Sequence, residues 1–394
     1  MKLGAIYSKE KTTFTLFSPV ADSVFVIFYD KGNDSVETGR LEMMRGEGEL
    51  RSIFSATAEG NLDGVYYTYE VHTADGTFNS HDPYARACGV NGHRSMVIDL
   101  SKTNPDGFAD EDRPKLADPM SMVITEVSIA DVSAGASAHS RYPGKFKAFT
   151  EDKTLSYFKD MGVTHLQLMP SYDFASIDES DSLKEQYNWG YDPFHYTVPE
   201  GSYATDPEGT ARIKEFRTMI QAIKQDLGMN VIMDVVYNHT NAAGPTDRTS
   251  VLDKIVPWYY QRLNETTGSV ESATCCSDSA PEHRMFAKLI ADSLAVWTTD
   301  YKIDGFRFDL MGYHPKAQIL SAWERIKALN PDIYFFGEGW DSNQSDRFEI
   351  ASQINLKGTG IGTFSDRLRD AVRGGGPFDS GDALRQNKSE AKRS

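Results

Sequence analysis

Two apolar runs that each end in a carboxylate constrain this sequence more than any other feature. Residues 303–311 contain Asp309 near their end, and residues 333–340 contain Glu338. Residues 315–329, which lie between them, have the apolar spacing of an amphipathic helix. A strand, a helix and a second strand in this order predict neighbouring parallel strands. We therefore expect both carboxylates at the carboxyl ends of these strands, where barrel enzymes carry their active sites.

The same alternation of strand and helix continues from residue 122 onward. The predicted strands cover residues 122–127, 164–169, 230–236, 303–308, 333–336 and 360–364, and the predicted helices cover residues 151–161, 210–227, 282–300, 315–329 and 365–373. Strands that are apolar throughout indicate a parallel sheet with both faces covered. We predict an incomplete (β/α)₈ TIM barrel of about six strands over residues 122–394. A doubly wound sheet is the alternative, but no Gly-x-Gly-x-x-Gly follows the first strand, so the sequence gives nucleotide binding no support.

Residues 1–105 have a different pattern, in which short strands alternate with turns. The β-branched and aromatic runs lie at residues 14–17, 24–29 and 65–71, and turn residues follow or precede them at 30–34, 61–64 and 75–76. This spacing predicts an all-β, immunoglobulin-like sandwich. Residues 106–121, which are rich in Pro, Asp and Lys, are the expected linker.

Composition narrows the classes of partner. The 394 residues carry a formal net charge of −16, which argues against nucleic acid because phosphates demand clustered Lys and Arg. No run approaches the roughly 18 apolar residues of a membrane span, so we expect no membrane partner. The amino terminus has no apolar core of signal-peptide length. We therefore expect a cytoplasmic protein, or a secreted one if its natural start is missing.

Three cysteines are too few for a disulfide framework. Cys275 and Cys276 are adjacent, and because a bridge between neighbouring residues is strained, we expect two free thiols. Neither has the Cys-x-x-Cys or His pair of a zinc site. The sequence therefore predicts no metal centre among the cysteines.

Four motifs occur in order along the barrel segment. They lie at residues 187–193, 234–240, 304–311 and 337–341. The first lies in the long loop 170–209, and the others end the third, fourth and fifth predicted strands. A single Asp at a strand end is usually a cap or an ion pair. Four motifs at one end of consecutive strands favour a functional site instead.

The residue types fit the cleavage of an acetal. A retaining glycosidase needs an acid that protonates the leaving oxygen and a carboxylate that traps the sugar, about 5–5.5 Å apart. Arg307 precedes Asp309 by two residues on the same strand face, so its guanidinium is expected to keep Asp309 ionised as the nucleophile. Glu338, flanked by the aromatic residues of 335–340, is expected to have its pKa raised by desolvation and by the charge of Asp309, which suits a general acid/base.

Other residues of the motifs are candidates for sugar binding. The rings of Tyr191 and Trp340 suit stacking against apolar sugar faces, and Asn238 and His239 suit hydrogen bonds to hydroxyl groups. Asp234 begins an apolar run and is expected to pair below the site. The aromatic run at residues 258–260 is expected to pack under a long loop rather than to bind sugar.

These motifs resemble those of type I pullulanases, debranching enzymes of the α-amylase superfamily. Residues 187–193 are similar to the signature of that subfamily, and residues 234–240, 304–311 and 337–340 resemble the first three shared regions of the superfamily. The resemblance implies hydrolysis of α-1,6 branches in pullulan, glycogen, starch or limit dextrins, with retention. It makes Asp309 the nucleophile, Glu338 the acid/base and Arg307 the residue that orients Asp309. The substrate-binding set that it implies is Tyr191, Asp192, Asn238, His239, Arg307 and Trp340.

The amino-terminal segment resembles the carbohydrate-binding module that precedes such barrels. Residues 14–21 and the exit at 82–86 carry that likeness, and the partner it implies is an α-glucan polysaccharide. The family requires no organic cofactor. Members often bind structural calcium, for which the acidic stretch 178–181 is a candidate, although a solvated acidic face is the simpler interpretation.

One part of the family pattern is absent from the sequence. The fourth shared region supplies a third carboxylate from a His-Asp pair, and the single such pair here, His81-Asp82, precedes the barrel. We therefore expect the 394-residue chain to be a truncated form with little or no activity. Two alternatives stay open: an α-1,4-acting amylase or branching enzyme, and a non-catalytic glucan-binding protein.

Overall fold

The computed structural model describes residues 1–109, 114, 118–181, 186–342, 344 and 346–376. Most of the expected linker (residues 110–113 and 115–117) and the chain from residue 377 lie outside the described residues. The described chain forms an amino-terminal β-structure followed by an α/β domain. Within these residues, no helix has the length and apolar character needed to cross a bilayer.

The amino-terminal strands build the predicted all-β sandwich. They are β1 (Gly4–Tyr7), β2 (Lys11–Phe17), β3 (Ser23–Tyr29), β4 (Glu37–Arg45), β5 (Ile53–Glu59), β6 (Tyr66–Thr73), β7 (Gly76–Ser80) and β8 (Ser95–Met96). The pairing order is β1-β2-β5-β4-β3-β6-β7, with β8 beside β6. Alternate side chains point into one core, in which the rings of Phe14 and Tyr67 meet edge to face at 5.0 Å. Asp82 is buried there, and its Oδ2 accepts hydrogen bonds from the hydroxyls of Tyr67 and Tyr69. These bonds make Asp82 a structural residue of the sandwich.

The second domain contains a six-stranded parallel sheet, which confirms the predicted incomplete barrel for the described residues. Its strands are β9 (Ile124–Val127), β10 (His165–Leu168), β11 (Asn230–Val235), β14 (Gly305–Phe308), β15 (Tyr334–Gly337) and β16 (Gly362–Thr363). They pair in the order β16-β15-β14-β11-β10-β9. Strands β10, β11 and β14 are buried throughout, as expected for strands that are covered on both faces.

The helices follow the strands as predicted. They are α1 (Ile129–Val132), α2 (Asp152–Met161), α3 (Ala211–Gln225), α4 (Leu252–Ile255), α5 (Arg284–Asp300), α6 (Lys316–Lys327) and α7 (Asp366–Arg373). The single-turn helices α1 and α4 lie in connections and were not predicted. Helix α5 carries the largest buried side chain, Trp297, whose indole N–H donates to the carbonyl of Tyr196.

Sheet register brings the motifs together. Asp234 on β11 lies opposite Arg307 on β14, and Phe308 on β14 lies opposite Gly337 on β15. Asp309 directly follows β14, and Glu338 directly follows β15. Both carboxylates therefore emerge side by side at the carboxyl edge of the sheet.

A short ribbon borders this edge and corrects one prediction. Strands β12 (His239–Thr240) and β13 (Ser277–Asp278) pair antiparallel. Just before β13, Cys275 and Cys276 form a vicinal disulfide, so the expectation of two free thiols was wrong. The chain bends at residues 273–276, and this bend brings the two neighbouring side chains together. Cys88 is a buried free thiol.

Candidate active site

Arg307 joins three carboxylates at the carboxyl edge of the sheet. Its Nη1 bonds Asp309 Oδ1 at 2.8 Å and both oxygens of Asp234 at 3.0 Å. Its Nη2 lies 3.0 Å from Glu338 Oε1. Burial acts to lower the pKa of Arg307, but the three carboxylates raise it overall. The guanidinium is thus a fixed positive charge between the two candidate catalytic groups.

Asp234 pairs with Arg307 below Asp309 and Glu338, the position that the sequence predicted. It is fully buried, and burial raises its pKa to about 8 although Arg307 opposes that rise. The hydroxyl of Tyr191 donates to Asp234 Oδ2 at 2.7 Å. Since both oxygens of Asp234 accept hydrogen bonds from Arg307 and Tyr191, this residue positions the ring and the guanidinium above it.

Asn238 holds Asp309 rather than facing the cleft. Its Nδ2 donates to Asp309 Oδ2 at 2.9 Å and to the Asp309 carbonyl at 3.0 Å. His239 is buried too, and its ring nitrogens lie 2.7 Å from Asn238 Oδ1 and 2.6 Å from the Tyr191 carbonyl. In this arrangement the polar atoms of both residues are engaged by the protein, so their predicted hydrogen bonds to sugar hydroxyls would require these contacts to open.

Polar groups contact both carboxylate oxygens of Glu338. Its Oε2 accepts the backbone N–H of Leu310 at 3.1 Å, and its Oε1 pairs with Arg307. The ring of Phe335, on the same strand, packs against Phe308 with ring centroids 5.1 Å apart. Leu310 adopts a left-handed conformation, with φ 42°, and this conformation of a non-glycine residue beside the catalytic candidates is a strained feature of the site.

Trp340 does not line this cleft. Its ring lies beneath Arg369, whose guanidinium carbon is 5.6 Å from the ring centroid. The backbone at Glu338 contacts the segment that follows Asp309, where the N–H of Gly312 donates to the Glu338 carbonyl at 3.0 Å. A Cβ on Gly312 would lie 1.9 Å from the carbonyl oxygen of Trp340. Only glycine permits this close backbone approach.

The rings of Tyr187 and Trp189 form the rim of the cleft, and the sequence pattern had assigned neither of them a role. The cleft has a volume of about 620 Å³ and is lined by Glu126, Met169, Tyr187, Trp189, Tyr191, His239, Thr274, Cys275, Arg307, Asp309, Leu310 and Glu338. Trp189 is 60% exposed and Tyr187 is 61% exposed, and the Trp189 indole N–H donates to the Tyr187 hydroxyl at 3.0 Å, so the two side chains form one exposed aromatic surface. Their position in the 187–193 motif was the available signal. Glu126 could have been found as a carboxylate near the end of the first predicted strand.

Asp192 shapes the loop beside this rim. Its Oδ1 accepts from Asn188 Nδ2 and its Oδ2 accepts from the Ser176 N–H, both at 2.9 Å. It lines a neighbouring outer cleft of about 650 Å³ together with Trp189. The structure thus places Asp192 next to the site, where it stabilises the loop that carries the aromatic rim.

The acidic stretch 178–181 is solvated only in part, because residues 180 and 181 are exposed whereas the side chain of Glu179 is buried. Glu179 Oε2 accepts from Arg212 Nη2 at 2.8 Å and from the Asn91 N–H at 2.6 Å. Asp173, Glu179 and Glu200 bring carboxylate oxygens within 4.8 Å of one another, an acidic cluster of the kind that binds calcium. However, Arg212 is fully buried among them and bonds Asp173 Oδ1 at 2.7 Å. The cluster does not fit a calcium ion, because a guanidinium already supplies the positive charge.

Comparison with known proteins shows similarity to both segments of the chain. Residues 2–85 match the model of carbohydrate-binding module 48 (isoamylase N-terminal domain), and residues 103–270 match the α-amylase catalytic domain. Pullulanase of Klebsiella aerogenes is 55% identical over 98% of this chain and 42% of its own length. Pullulanase 1, chloroplastic, of Arabidopsis thaliana is 37% identical over 95% of this chain and 44% of its own length.

Solved structures are similar along the same stretch. Klebsiella pneumoniae pullulanase complexed with maltotriose has 54% identity and a TM-score of 0.92, covering 98% of this chain and 44% of that one. Pullulanase from Paenibacillus barengoltzii, in complex with maltohexaose and α-cyclodextrin, has 36% identity and a TM-score of 0.89. That match covers 98% of this chain and 62% of that one. The chain spans less than half the length of the Klebsiella relatives.

Proposed function

The chain belongs to the pullulanase group of the α-amylase family, and from this premise we propose that the protein hydrolyses α-1,6-glucosidic linkages in α-glucans such as pullulan, glycogen or starch. The observation that carries the proposal is the single guanidinium of Arg307 between Asp309 and Glu338. Two carboxylates bonded to one guanidinium lie close together, as the retaining mechanism needs. The linkage follows from the similarity to pullulanases.

Asp309 is the proposed nucleophile. Arg307 and Asn238 bond its two carboxylate oxygens, which fixes the direction in which the carboxylate points. In the first step, one oxygen attacks the anomeric carbon as the glycosidic bond breaks, giving a covalent glycosyl ester. Water then hydrolyses this ester, so the product keeps the configuration of the substrate.

Glu338 is the proposed acid and base. It donates a proton to the departing glycosidic oxygen and takes one from the water that attacks the ester. Without substrate, its oxygens accept from Leu310 N–H and Arg307. A carboxyl oxygen has two lone pairs, so Glu338 can carry a proton while both contacts remain. We propose that this proton passes to the entering glycosidic oxygen.

The aromatic rim is the proposed sugar-binding surface. Tyr191 lies beside the nucleophile, with its hydroxyl fixed by Asp234, and Trp189 and Tyr187 extend outward from it. Flat rings of this kind bind the apolar faces of sugars. The proposed partner is therefore an α-glucan chain that enters past Trp189. Trp340, His239 and Asp192 keep their predicted sugar-binding roles only as proposals.

The domain division is a proposal as well. The sandwich, residues 1–105, is the carbohydrate-binding type module, residues 106–121 are the linker, and residues 122–394 contain the partial barrel. The module contacts the barrel segment directly, since Ser18 Oγ donates to the Ile255 carbonyl at 2.6 Å. This contact supports a packing role for the module, in addition to a role in glucan binding.

The test is reducing-end release from pullulan, with amylose as the α-1,4 comparison. It uses the protein as produced from its gene, and the 394-residue chain is assayed beside it. We expect maltotriose from pullulan and little product from amylose, and loss of activity in Asp309→Asn and Glu338→Gln. Glu349→Gln, which changes a carboxylate 59% exposed at the surface, is the matched control and should keep full activity. Release from amylose alone would refute the proposed linkage.

A further inference from the structure

A cluster of two sulfur atoms and an imidazole borders the candidate active site, and the proposed mechanism does not use it. A ring nitrogen of His239 and the sulfurs of Cys275 and Cys276 all lie within 4.8 Å of one another. Cys275 lines the cleft that contains Asp309, and Cys276 lines the outer cleft beside Trp189. The disulfide is thus part of the wall between the two clefts.

The backbone holds this cluster together independently of the sulfur–sulfur bond. In the β12–β13 ribbon, His239 pairs with Asp278. The buried carboxylate of Asp278 accepts from the Ala273 N–H at 3.0 Å and from Thr274 Oγ1 at 3.1 Å. These bonds curl the bend that contains both cysteines back toward the ribbon. After reduction, the two thiols would therefore stay beside His239.

We propose that reduction of the Cys275–Cys276 disulfide creates a binding site for a thiophilic divalent cation, such as zinc or cadmium. Two thiolates and one imidazole form a Cys₂His set, which suits these metals and leaves a fourth position open. In the oxidised chain the sulfurs are uncharged and cannot ligate such an ion. The site is therefore controlled by the redox state of the cysteines.

Both the reductant and the cation come from solution. A water-soluble phosphine supplies two electrons to the disulfide and becomes a phosphine oxide with the oxygen of one water molecule. The two hydrogens of that water end on the sulfurs of Cys275 and Cys276. The cation then replaces both thiol protons, which pass to solvent.

Metal binding at this site would also reach the catalytic groups. The ring nitrogens of His239 are engaged by Asn238 and by the Tyr191 carbonyl, and a cation must take one of them. Either exchange changes a contact of the candidate active site: loss of the Nδ1 contact releases Asn238, which bonds the proposed nucleophile, and loss of the Nε2 contact releases the carbonyl of Tyr191, which lines the cleft. We expect the reduced, metal-loaded protein to lose hydrolytic activity. This consequence alone rests on the proposed function, whereas metal binding does not.

The experiment titrates the chain with cadmium, with and without the phosphine, and follows the ultraviolet band of thiolate-to-cadmium charge transfer. We expect one cadmium per reduced chain and none per oxidised chain. Cys276→Ser should abolish tight binding, and His239→Gln should weaken it more than about tenfold. Cys88→Ser, which removes the buried thiol outside the cluster, should leave the band unchanged.

Three results would overturn the inference. They are a band in the oxidised chain, an unchanged band in Cys276→Ser, and no band in a reduced chain that a thiol-reactive dye shows to have two accessible thiols. Circular dichroism of each variant separates loss of a ligand from loss of the fold. Because cadmium binding needs no glucan, it can fail while pullulan hydrolysis succeeds, and the reverse also holds.

Discussion

Replacing Arg212 by methionine should destabilise the fold strongly. The guanidinium is fully buried and bonds Asp173 and Glu179, and Glu200 lies in the same cluster. Methionine fills a similar volume but leaves these buried carboxylates without their counter-charge. Removing one partner of a buried ion pair costs about 3–5 kcal/mol. We expect Arg212→Met to lower the free energy of unfolding by about that amount.

Urea unfolding followed by circular dichroism measures this loss. Arg325→Met is the matched control, because its ion pair with Asp292 is 45% exposed on the arginine side and should contribute less than about 1 kcal/mol. Adding Asp173→Asn to Arg212→Met should recover part of the stability, since it removes one buried charge. Equal losses for Arg212→Met and Arg325→Met would refute the reasoning.

Three further results are expected. Burial raises the pKa of Asp82 to about 6. The stability that its protonated form gives to the fold is therefore fully present below about pH 4 and is lost as the pH rises through 6. Urea unfolding should show that the free energy of unfolding of wild type falls by about 3 kcal/mol relative to Asp82→Asn over that range. A chelator should change the melting temperatures of wild type and of Glu179→Gln by the same amount, because Arg212 and not a metal ion balances the acidic cluster; a calcium-dependent difference between the two would contradict this. Arg307→Lys should lower kcat/KM on pullulan about 10²–10³-fold, because one ammonium cannot hold Asp309 and Glu338 together; steady-state kinetics within tenfold of wild type would count against it.

Much of the fold could be predicted because the barrel strands are encoded locally. Residues 230–236 and 303–308 are apolar runs, and the helices between strands have the apolar spacing of amphipathic segments. Parallel pairing then places the residues after each strand at one edge. Asp309 and Glu338 were located in this way, without any knowledge of side-chain contacts.

Contacts between distant segments could not be read in the same way. The side chain of Asn238 turns to Asp309, 71 positions later in the chain, and Glu179 is buried because Arg212 reaches it. Trp340 lies outside the cleft, with its ring against Arg369 of helix α7. Spacing within a motif gives the order of residues along a strand, but not which neighbour each polar group selects.

The vicinal disulfide and the aromatic rim show the same limit. Adjacent cysteines form a bond here because the bend at residues 273–276 brings them together, and the carboxylate of Asp278 holds that bend. Trp189 belongs to the motif at residues 187–193, but its exposure depends on how the whole loop packs. Each feature depends on tertiary structure that local propensity does not contain.

The central claim is that Asp309 attacks the sugar while Glu338 handles the proton. A slowly hydrolysed fluoro-sugar substrate tests it most directly, because it traps the covalent glycosyl ester. Mass spectrometry of the digested protein should find the sugar on the peptide that contains Asp309, at Asp309 itself. The same label on Glu338 or on Asp234, or turnover of pullulan with inverted configuration, would contradict the account.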